Sequence, residues 1–433
     1  MQKIEVHTKY LLPCRLAIVA AALAALIVQT PGVAQVAAGT GPRAAASAAA
    51  TSDPELTARK TWHAVMRNTP VPGKGCFHAS YPEAAWQHVE CKEVAPHMRP
   101  SVNQAVGPQD VGNGLDYFTG ISQGLITSVF GKFFISGVES ETNVPTASTP
   151  AGSNPPLGSN AYTLQINTNY AQTAACGDYG TCYVWQQFVY ATDPAIGEGS
   201  LFMQYWLLGW HGNCPRGWGA GPQTNQCHHN SKAAAVPNIP VTNLGDVILT
   251  GSVENGGSDY IWLEYGDDSW VVGNTDSSAP CCEGGLDIAS VWNQAEFNVV
   301  GDTNDTQAQF NKGSQIIVVL ALQDGSDAAP QCIQPQQNYQ NYILYENGGT
   351  GETNNMTLGT CQGAVGNVID WYRCTQNICE GSEIYGPYIE FTETVPFPHL
   401  PPPVCIICGV EAATQQEVGP NGTTSNATAS VKR

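Results

Sequence analysis

The stretch 182–210, CYVWQQFVYATDPAIGEGSLFMQYWLLGW, most constrains how this chain folds. Two runs within it, 183–190 and 201–208, are rich in aromatic and β-branched residues, and a segment containing Pro and Gly joins them. Runs of this length and composition are typical of β-strands and too short for amphipathic helices. The stretch therefore predicts two neighbouring strands joined by a turn.

Side chains alternate between the two faces of a strand, which sorts the polar residues of this pair. Trp185 and Gln187 share one face of the first strand, and Gln186 lies on the other. In the second strand Gln204 and Trp206 share a face. Amide side chains set among tryptophans predict a polar cleft floored by aromatic rings, which suits an extended peptide or a sugar.

Short strands separated by turn clusters recur from about residue 115, at the spacing of a sandwich or barrel. The 433 residues, with 45 Gly and 29 Pro, allow one large all-β domain or two ordinary ones. The further predicted strands are 124–134, 161–167, 247–253, 260–265, 270–272, 296–300, 316–320, 342–346 and 388–394. Long loops are predicted at 144–159, 211–240 and 274–285. Whether the strands after 323 close the same sandwich or form a small separate domain stays open.

The first residues predict export. Basic residues precede the apolar run 16–28, and small residues at 32–34 suit cleavage; an uncleaved anchor is the alternative. The predicted organisation is a signal peptide (1–34), a flexible linker (35–56), a cysteine-bridged N-terminal extension or pro-segment (57–110), a β-sandwich (111–395) and a disordered tail (396–433). The expected location is extracellular or periplasmic.

Cysteines and charge agree with export. Of 15 cysteines one lies in the signal, and the even remainder predicts disulfides, with local bridges favoured by the spacings 176/182, 214/227 and 374/379. The net charge of −19 makes nucleic acid or an anionic membrane an improbable partner. We expect no membrane association once the signal is removed.

Four segments, in order, resemble the eqolisins, or glutamic peptidases. Residues 133–148, FFISGVESETNVPTAS, resemble the family's opening strand and Asn-Val-Pro turn. Residues 185–188, WQQF, resemble the strand with the catalytic glutamine, 202–206, FMQYW, its aromatic neighbour, and 291–300, VWNQAEFNVV, the strand that ends in the catalytic glutamate. The resemblance covers about residues 115–322. It implies a disulfide-bonded, two-sheet antiparallel β-sandwich of the concanavalin-like jelly-roll type.

The resemblance also implies a chemistry, in which a carboxylate activates water and a glutamine amide stabilises the oxyanion. Gln187 is the best match for the amide, with Gln186 as the alternative. The position that the catalytic glutamate has in the family's motif, however, is occupied by Val300 in this chain. Glu296 is four residues away, about 13 Å along a strand, and is expected to be too far. Asp302 is expected in the following turn unless a bulge moves it into the sheet.

Other constellations give weaker predictions. Gln204 stands where the family shows an acidic residue, so both family carboxylates are replaced. Glu264, on a strand with Trp262, forms with Glu296 a candidate carboxylate pair for glycoside hydrolysis. The spacing of 214, 227, 228 and 229 fits no zinc finger. The run Asp302-Thr-Asn-Asp starts like a calcium loop but lacks its later ligands. We therefore expect no metal and no cofactor.

Three hypotheses remain. The preferred one is a divergent, non-catalytic relative that binds extended peptide or glycan in a groove lined by Trp185, Gln204, Trp206, Trp262 and Glu264. The second is an active acid endopeptidase that uses Gln187 with Glu296 or Asp302. The third is a structural surface protein without a ligand.

Overall fold

The structure is a computed structural model of the 433-residue chain. It describes residues 54–94, 118–147, 149, 151–152, 154–221, 225–255, 259–274, 286–303, 305–333, 352–368 and 384–396. The predicted signal peptide lies outside these ranges, as do residues 35–53 of the predicted linker, residues 397–433 of the predicted tail, the predicted strand 342–346 and the spacing 374/379. The last three residues predicted as linker, 54–56, instead begin a helix.

The described elements are one α-helix, three short 3-10 helices and β-strands. Helix α1 spans Pro54–Asn68, and the 3-10 helices span Ala174–Cys176, Val241–Asp246 and Ile288–Ser290. In chain order the strands are β1 (Gly75–Ser80), β2 (Gln87–Val89), β3 (Cys91–Lys92), β4 (Thr119–Ile121), β5 (Ser128–Ser136), β6 (Glu141–Pro145), β7 (Gly158–Ser159), β8 (Tyr162–Thr168), β9 (Tyr183–Ala191), β10 (Glu198–Leu208), β11 (Gly219–Ala220), β12 (Gln226–Asn230), β13 (Ala233–Pro237), β14 (Val247–Val253), β15 (Asp259–Tyr265), β16 (Asp268–Asn274), β17 (Gln294–Gly301), β18 (Thr306–Phe310), β19 (Gln315–Gln323), β20 (Gln331–Ile333), β21 (Thr353–Asn354), β22 (Thr357–Val368) and β23 (Ile384–Thr394).

These strands form two large antiparallel sheets and one small sheet. Sheet 1 has the order β2-β1-β16-β15-β14-β5-β19-β23-β22. Sheet 2 has the order β11-β12-β10-β9-β8-β17-β4-β20, and β13 joins it by pairing with β10 and β3. Sheet 3 has the order β21-β18-β6-β7. The all-β, two-sheet fold class expected from the sequence is confirmed.

The hydrophobic core lies between sheets 1 and 2, where aromatic rings of sheet 2 press onto glycines of sheet 1. A Cβ at Gly131 would lie 2.6 Å from the ring of Phe297, and one at Gly251 would lie 2.6 Å from the ring of Phe188. Phe133 stacks on Phe297 with ring centroids 4.5 Å apart. Only glycine leaves room for such close contact, so these two positions set how tightly the sheets pack.

The N-terminal extension contributes strands to both large sheets. All six residues of β1 pair with β16 in sheet 1, and β3 pairs with β13 in sheet 2. Helix α1 is held to sheet 1 by ion pairs, from Arg59 to Asp267 at 2.9 Å and from Arg67 to Glu264 at 2.7 Å. The segment 54–94 is thus built into the sandwich. Removal of the extension as a pro-segment in the mature protein stays one of the two alternatives predicted from the sequence.

Most predicted strands in the described ranges are present within a few residues of their expected bounds. The segment predicted as a loop at 211–240 instead contains β11, β12 and β13. Its Gly, Pro and Cys content suggested a loop, but β12 and β13 pair with β10, and β11 pairs with β12. Sheet 3 was not predicted, because its strands are short and pair with distant partners.

Four disulfides join described cysteines. The local bridges Cys176–Cys182 and Cys214–Cys227 confirm the spacing-based predictions, and Cys76–Cys91 closes the N-terminal extension. Cys332–Cys361 links more distant residues and was not predicted. Within the described ranges, no helix has both the length and the apolar character that a membrane span requires.

Candidate functional site

The polar face of β9 points away from the sandwich core. Val184, Phe188 and Tyr190 belong to the core cluster between the sheets, so the alternating residues Trp185 and Gln187 lie on the outer face of sheet 2. The predicted division of faces is confirmed. The outer side chains are nevertheless buried: Gln187 is 3% exposed.

Gln187 belongs to a chain of side-chain hydrogen bonds that we call the amide ladder. It runs across sheet 2 from β12 to β17, through Asn230, Gln204, Gln187, Gln165, Asn167 and Glu296. At its first end Gln204 Nε2 donates to Asn230 Oδ1 at 2.9 Å. Trp206 Nε1 then joins two glutamines, donating to Gln204 Oε1 at 2.9 Å and to Gln187 Oε1 at 3.2 Å.

The second half of the ladder leads to the carboxylate. Gln187 Nε2 donates to Gln165 Oε1 and to Asn167 Oδ1, both at 3.0 Å. Asn167 Nδ2 in turn donates to Glu296 Oε1. Strand register produces this order, because Gln204 pairs with Gln187, Gln187 with Asn167, and Asn167 with Glu296.

Two candidate catalytic residues, Gln187 and Glu296, therefore lie level on strands separated only by β8, about 10 Å apart at Cα. The Asn167 side chain lies between them and hydrogen-bonds to both. Because Gln187 Nε2 has two protons, its bonds to Gln165 and Asn167 use both of them. Neither proton is then available to an oxyanion unless one of these bonds breaks.

The expectation that Glu296 is too distant from the glutamine is corrected by the register. Val300 pairs with Thr163, and Thr163 pairs with Ala191, four residues beyond Gln187. Val300 is thus the position displaced along the strands, and Glu296 is the one level with Gln187. The family resemblance put the position of the catalytic glutamate at Val300. The pairing of β17 with β8 shows that Glu296, and not Val300, is level with Gln187.

Asp302 does not lie in the sheet. The β17–β8 ladder runs without a bulge to Gly301, opposite Tyr162, and Asp302 comes next, in the turn. It is six residues past Glu296, about 20 Å along the strand direction. The structure therefore does not bring Asp302 to Gln187.

Gln186, the alternative amide, points into the core. It pairs with Tyr205, and both side chains approach Asp259 of sheet 1. Burial raises the pKa of Asp259 from its ordinary 3.8 to about 7; the side chains of Gln186 and Tyr205 oppose that rise, and the charges of Glu254 and Asp287 add to it. Asp259 as a whole residue is half-buried. Its carboxyl group points into the core, and this group is the part of the residue that is desolvated. Gln186 lies near enough to affect this pKa, yet its two amide atoms make no hydrogen bond of normal geometry within the described structure.

Trp262 and Glu264 lie elsewhere. Their neighbours Ile261 and Leu263 belong to the core, so both point to the outer face of sheet 1. Glu264 is beneath α1, 2.7 Å from Arg67 Nε and 3.6 Å from His63 Nδ1. The sequence suggested a glycosidase pair of Glu264 and Glu296, but these carboxylates lie on opposite outer faces of a sandwich whose sheets are about 10 Å apart. The structure contradicts that pair.

Trp185 and Trp206 are cross-strand neighbours on the ladder's face. Their ring centroids are 6.4 Å apart, and Tyr170 lies 5.2 Å from Trp185. All three rings are buried. The aromatic rings that the sequence predicted as the floor of a cleft are present, but they are packed against one another and buried.

The ladder becomes accessible at β12. Asn230 and His228 are half-buried, and the His228 ring lies 5.1 Å from that of Trp206. The sequence placed both residues in a loop, and only the short strand β12 aligns them with Gln204 and Trp206. Cys214 and Cys227 form a disulfide and cannot be thiolate ligands of zinc. Within the described residues, no three His, Cys, Asp or Glu side chains are grouped as a metal site.

Comparison with known proteins gives one kind of match. No family model and no curated protein matches the chain. The solved structures it is similar to include scytalido-glutamic peptidase with a transition-state analogue inhibitor (14% identity, 50% of this chain and 82% of that chain, TM-score 0.23). A second is the same peptidase with a peptide-based transition-state analogue (11%, 66% and 100%, TM-score 0.27). A third is SCP-B, a member of the eqolisin family of peptidases, in complex with the tripeptide Ala-Ile-His (11%, 64% and 96%, TM-score 0.23).

The structural comparison thus returns the family that the sequence motifs resemble.

Proposed function

We propose that this chain is a secreted binding protein that holds extended polypeptide at the β12 end of the amide ladder and does not hydrolyse it. One observation carries the proposal: the Asn167 side chain bridges Gln187 and Glu296. A glutamic peptidase mechanism needs a water molecule at the carboxylate and a free amide donor beside it. Here the Asn167 amide hydrogen-bonds to the carboxylate where the water molecule would bind, and it also occupies the amide donor of Gln187.

The binding half of the proposal rests on the ladder's accessible end. Asn230 and His228 are half-buried beside Trp206. A side-chain amide offers both a donor and an acceptor, which matches the alternating N–H and C=O groups of an extended peptide. Aromatic and imidazole rings next to it supply a surface for the peptide's side chains. A glycan is the alternative ligand, since the same groups also bind hydroxyls.

Secretion is part of the proposal. Four disulfides among the described residues fit an oxidising compartment. The basic and apolar N-terminal residues have the composition of an export signal. Detection of the chain in the culture medium with its N-terminus near residue 35 tests this part.

An acid endopeptidase that uses Gln187 and Glu296 is the second candidate, and the register favours it. The two residues are level, with one asparagine side chain between them. Rotation of Asn167 would break its bonds to both. This function requires that rotation.

Casein cleavage between pH 2 and 7 separates the two candidates. We expect no cleavage by the wild type, by Gln187→Ala, or by Gln309→Ala, a control at an exposed glutamine on β18. Cleavage by wild type and control that disappears in Gln187→Ala would replace the proposal with the second candidate.

Binding is measured by tryptophan fluorescence with casein-derived peptides. His228→Ala and Asn230→Ala are each expected to weaken binding about tenfold, the effect of losing one or two hydrogen bonds. Binding of a glycan panel but not of peptides would correct the ligand class. Blank results with both would favour a structural protein without a ligand.

A further inference from the structure

Strand β22 differs from the other strands that end the described sheets. Those other end strands have only two or three residues each, and they are β2, β3, β7, β11, β20 and β21. Strand β22 has 12 residues and pairs with β23 on one side, and no described strand pairs with its other side. A long free edge presents a row of backbone N–H and C=O groups to which another strand can bind.

The sequence of β22, TLGTCQGAVGNV, contains no charged residue and no proline. Natural sheets usually protect a long edge with lysine, with proline or with a bulge. The irregularity in the pairing of β22 lies between Leu358 and Cys361, and the pairing with β23 is regular from Cys361 to Val368. The run 361–368 therefore carries none of these protections.

A proline on β23 indicates which backbone groups of β22 point to the free edge. Pro387 pairs with Val365 and has no N–H to donate. Proline is tolerated in a strand where its nitrogen faces away from the neighbouring strand, and the groups of both residues in such an antiparallel pair face away from each other. We therefore expect the N–H and C=O groups of Val365, and by alternation those of Gly363, to point to the free edge. Every residue of 357–366 is exposed or half-buried, so these groups are within reach of a partner.

The edge strand is also fixed in place. Cys361 forms a disulfide with Cys332 of β20, which ties the edge of sheet 1 to the edge of sheet 2. A Cβ at Gly363 would overlap the backbone oxygen of Pro330, so only glycine allows β22 to lie this close to the segment before β20. A strand that is ordered before association loses little conformational entropy when a partner binds.

We propose that this edge forms a homodimer, in which residues 361–368 pair antiparallel with the same residues of a second copy of the chain. A two-fold contact between identical strands uses the free edge of both copies, so the assembly closes at two. The chain carries a net charge of −19, so two copies repel each other, and an uncharged strand is a surface where the repulsion between them is least. A foreign peptide fits this edge less well, because the small residues at 363, 364 and 366 offer no pockets for its side chains.

Sedimentation equilibrium of the full secreted chain, between about 1 and 200 µM, tests the dimer. We expect a Kd of about 10 µM, because a single pair of strands is a small interface. Val365→Pro removes an N–H that points to the partner, and it should raise the Kd at least about 30-fold. Val365→Ala is the matched control, since it removes the same side chain and keeps the N–H, and it should change the Kd by less than about fivefold.

A wild type that stays monomeric over this concentration range would overturn the proposal. Equal dimerisation of the wild type and Val365→Pro would place the contact on another surface and would also overturn it. If Val365→Pro does not fold, hydrogen exchange of the wild type decides, because the amides of Gly363 and Val365 should exchange more slowly at about 200 µM than at about 1 µM. Equal exchange at both concentrations, with slowing only on addition of casein-derived peptide, would assign the edge to a peptide strand instead.

Discussion

Two adjacent glutamines show how differently one residue type is used on the two faces of β9. Gln187 lies on the outer face, where its amide bonds to Gln165, Asn167 and Trp206. Gln186 lies in the core, where its amide atoms make no hydrogen bond of normal geometry with the described residues and lie beside Asp259. The comparison teaches that a glutamine's position in a family motif does not define its chemistry. Its face and its neighbours do.

The largest expected effect is on the inner face and concerns pH. Asp259 titrates near 3.8 in the unfolded chain and near 7 in the folded one. Between these values the folded state binds a proton that the unfolded state does not, so this contribution to stability is complete below about pH 4 and is lost as the pH rises through 7. Between pH 4 and pH 7.5 we expect the unfolding free energy of the wild type to fall by about 3 kcal/mol more than that of Asp259→Asn.

Urea unfolding at several pH values measures this difference. Asp178→Asn, at an exposed aspartate, should keep the wild-type slope. Equal slopes for wild type and Asp259→Asn would mean that Asp259 is ionised in the folded state, and would remove the contrast between the two faces.

The same substitution at the two glutamines should have opposite outcomes. Gln187→Leu leaves the buried side-chain oxygens of Gln165 and Asn167 without the donor they have in the wild type, and should lower the unfolding free energy by about 2 kcal/mol. Gln186→Leu replaces an amide without normal hydrogen bonds by a hydrocarbon of similar size, and should be neutral or stabilising by about 1 kcal/mol. Urea unfolding at pH 5 measures both, and similar losses would show that Gln186 is satisfied after all.

The smallest expected effect is at the bridge of the ladder. Asn167→Ala removes one acceptor of Gln187 and one donor to Glu296. Because water can enter the space left, we expect a loss of only about 1 kcal/mol in urea unfolding. Casein cleavage at acid pH by this variant, absent in the wild type, would show that Asn167 alone blocks hydrolysis. A loss above about 3 kcal/mol without activity would give the ladder a purely structural role.

The sequence predicted those features of the fold that depend on a single strand. Strand alternation correctly separated Gln187 from Gln186, because the two-residue period is a property of one strand. It could not show that Asn167 lies between Gln187 and Glu296, since that depends on β8 being placed between β9 and β17. The half-buried end at Asn230 was missed for a related reason, as β12 is a short strand within a Gly- and Cys-rich segment and is defined by its pairing with β10.

A high-resolution crystal structure at about pH 4 tests most directly whether Asn167 blocks the site. We predict the Asn167 amide between Gln187 and Glu296, hydrogen-bonded to both, with no water molecule in contact with the two residues at once. An ordered water about 3 Å from both Gln187 Nε2 and a Glu296 carboxylate oxygen, with Asn167 rotated away, would contradict this prediction.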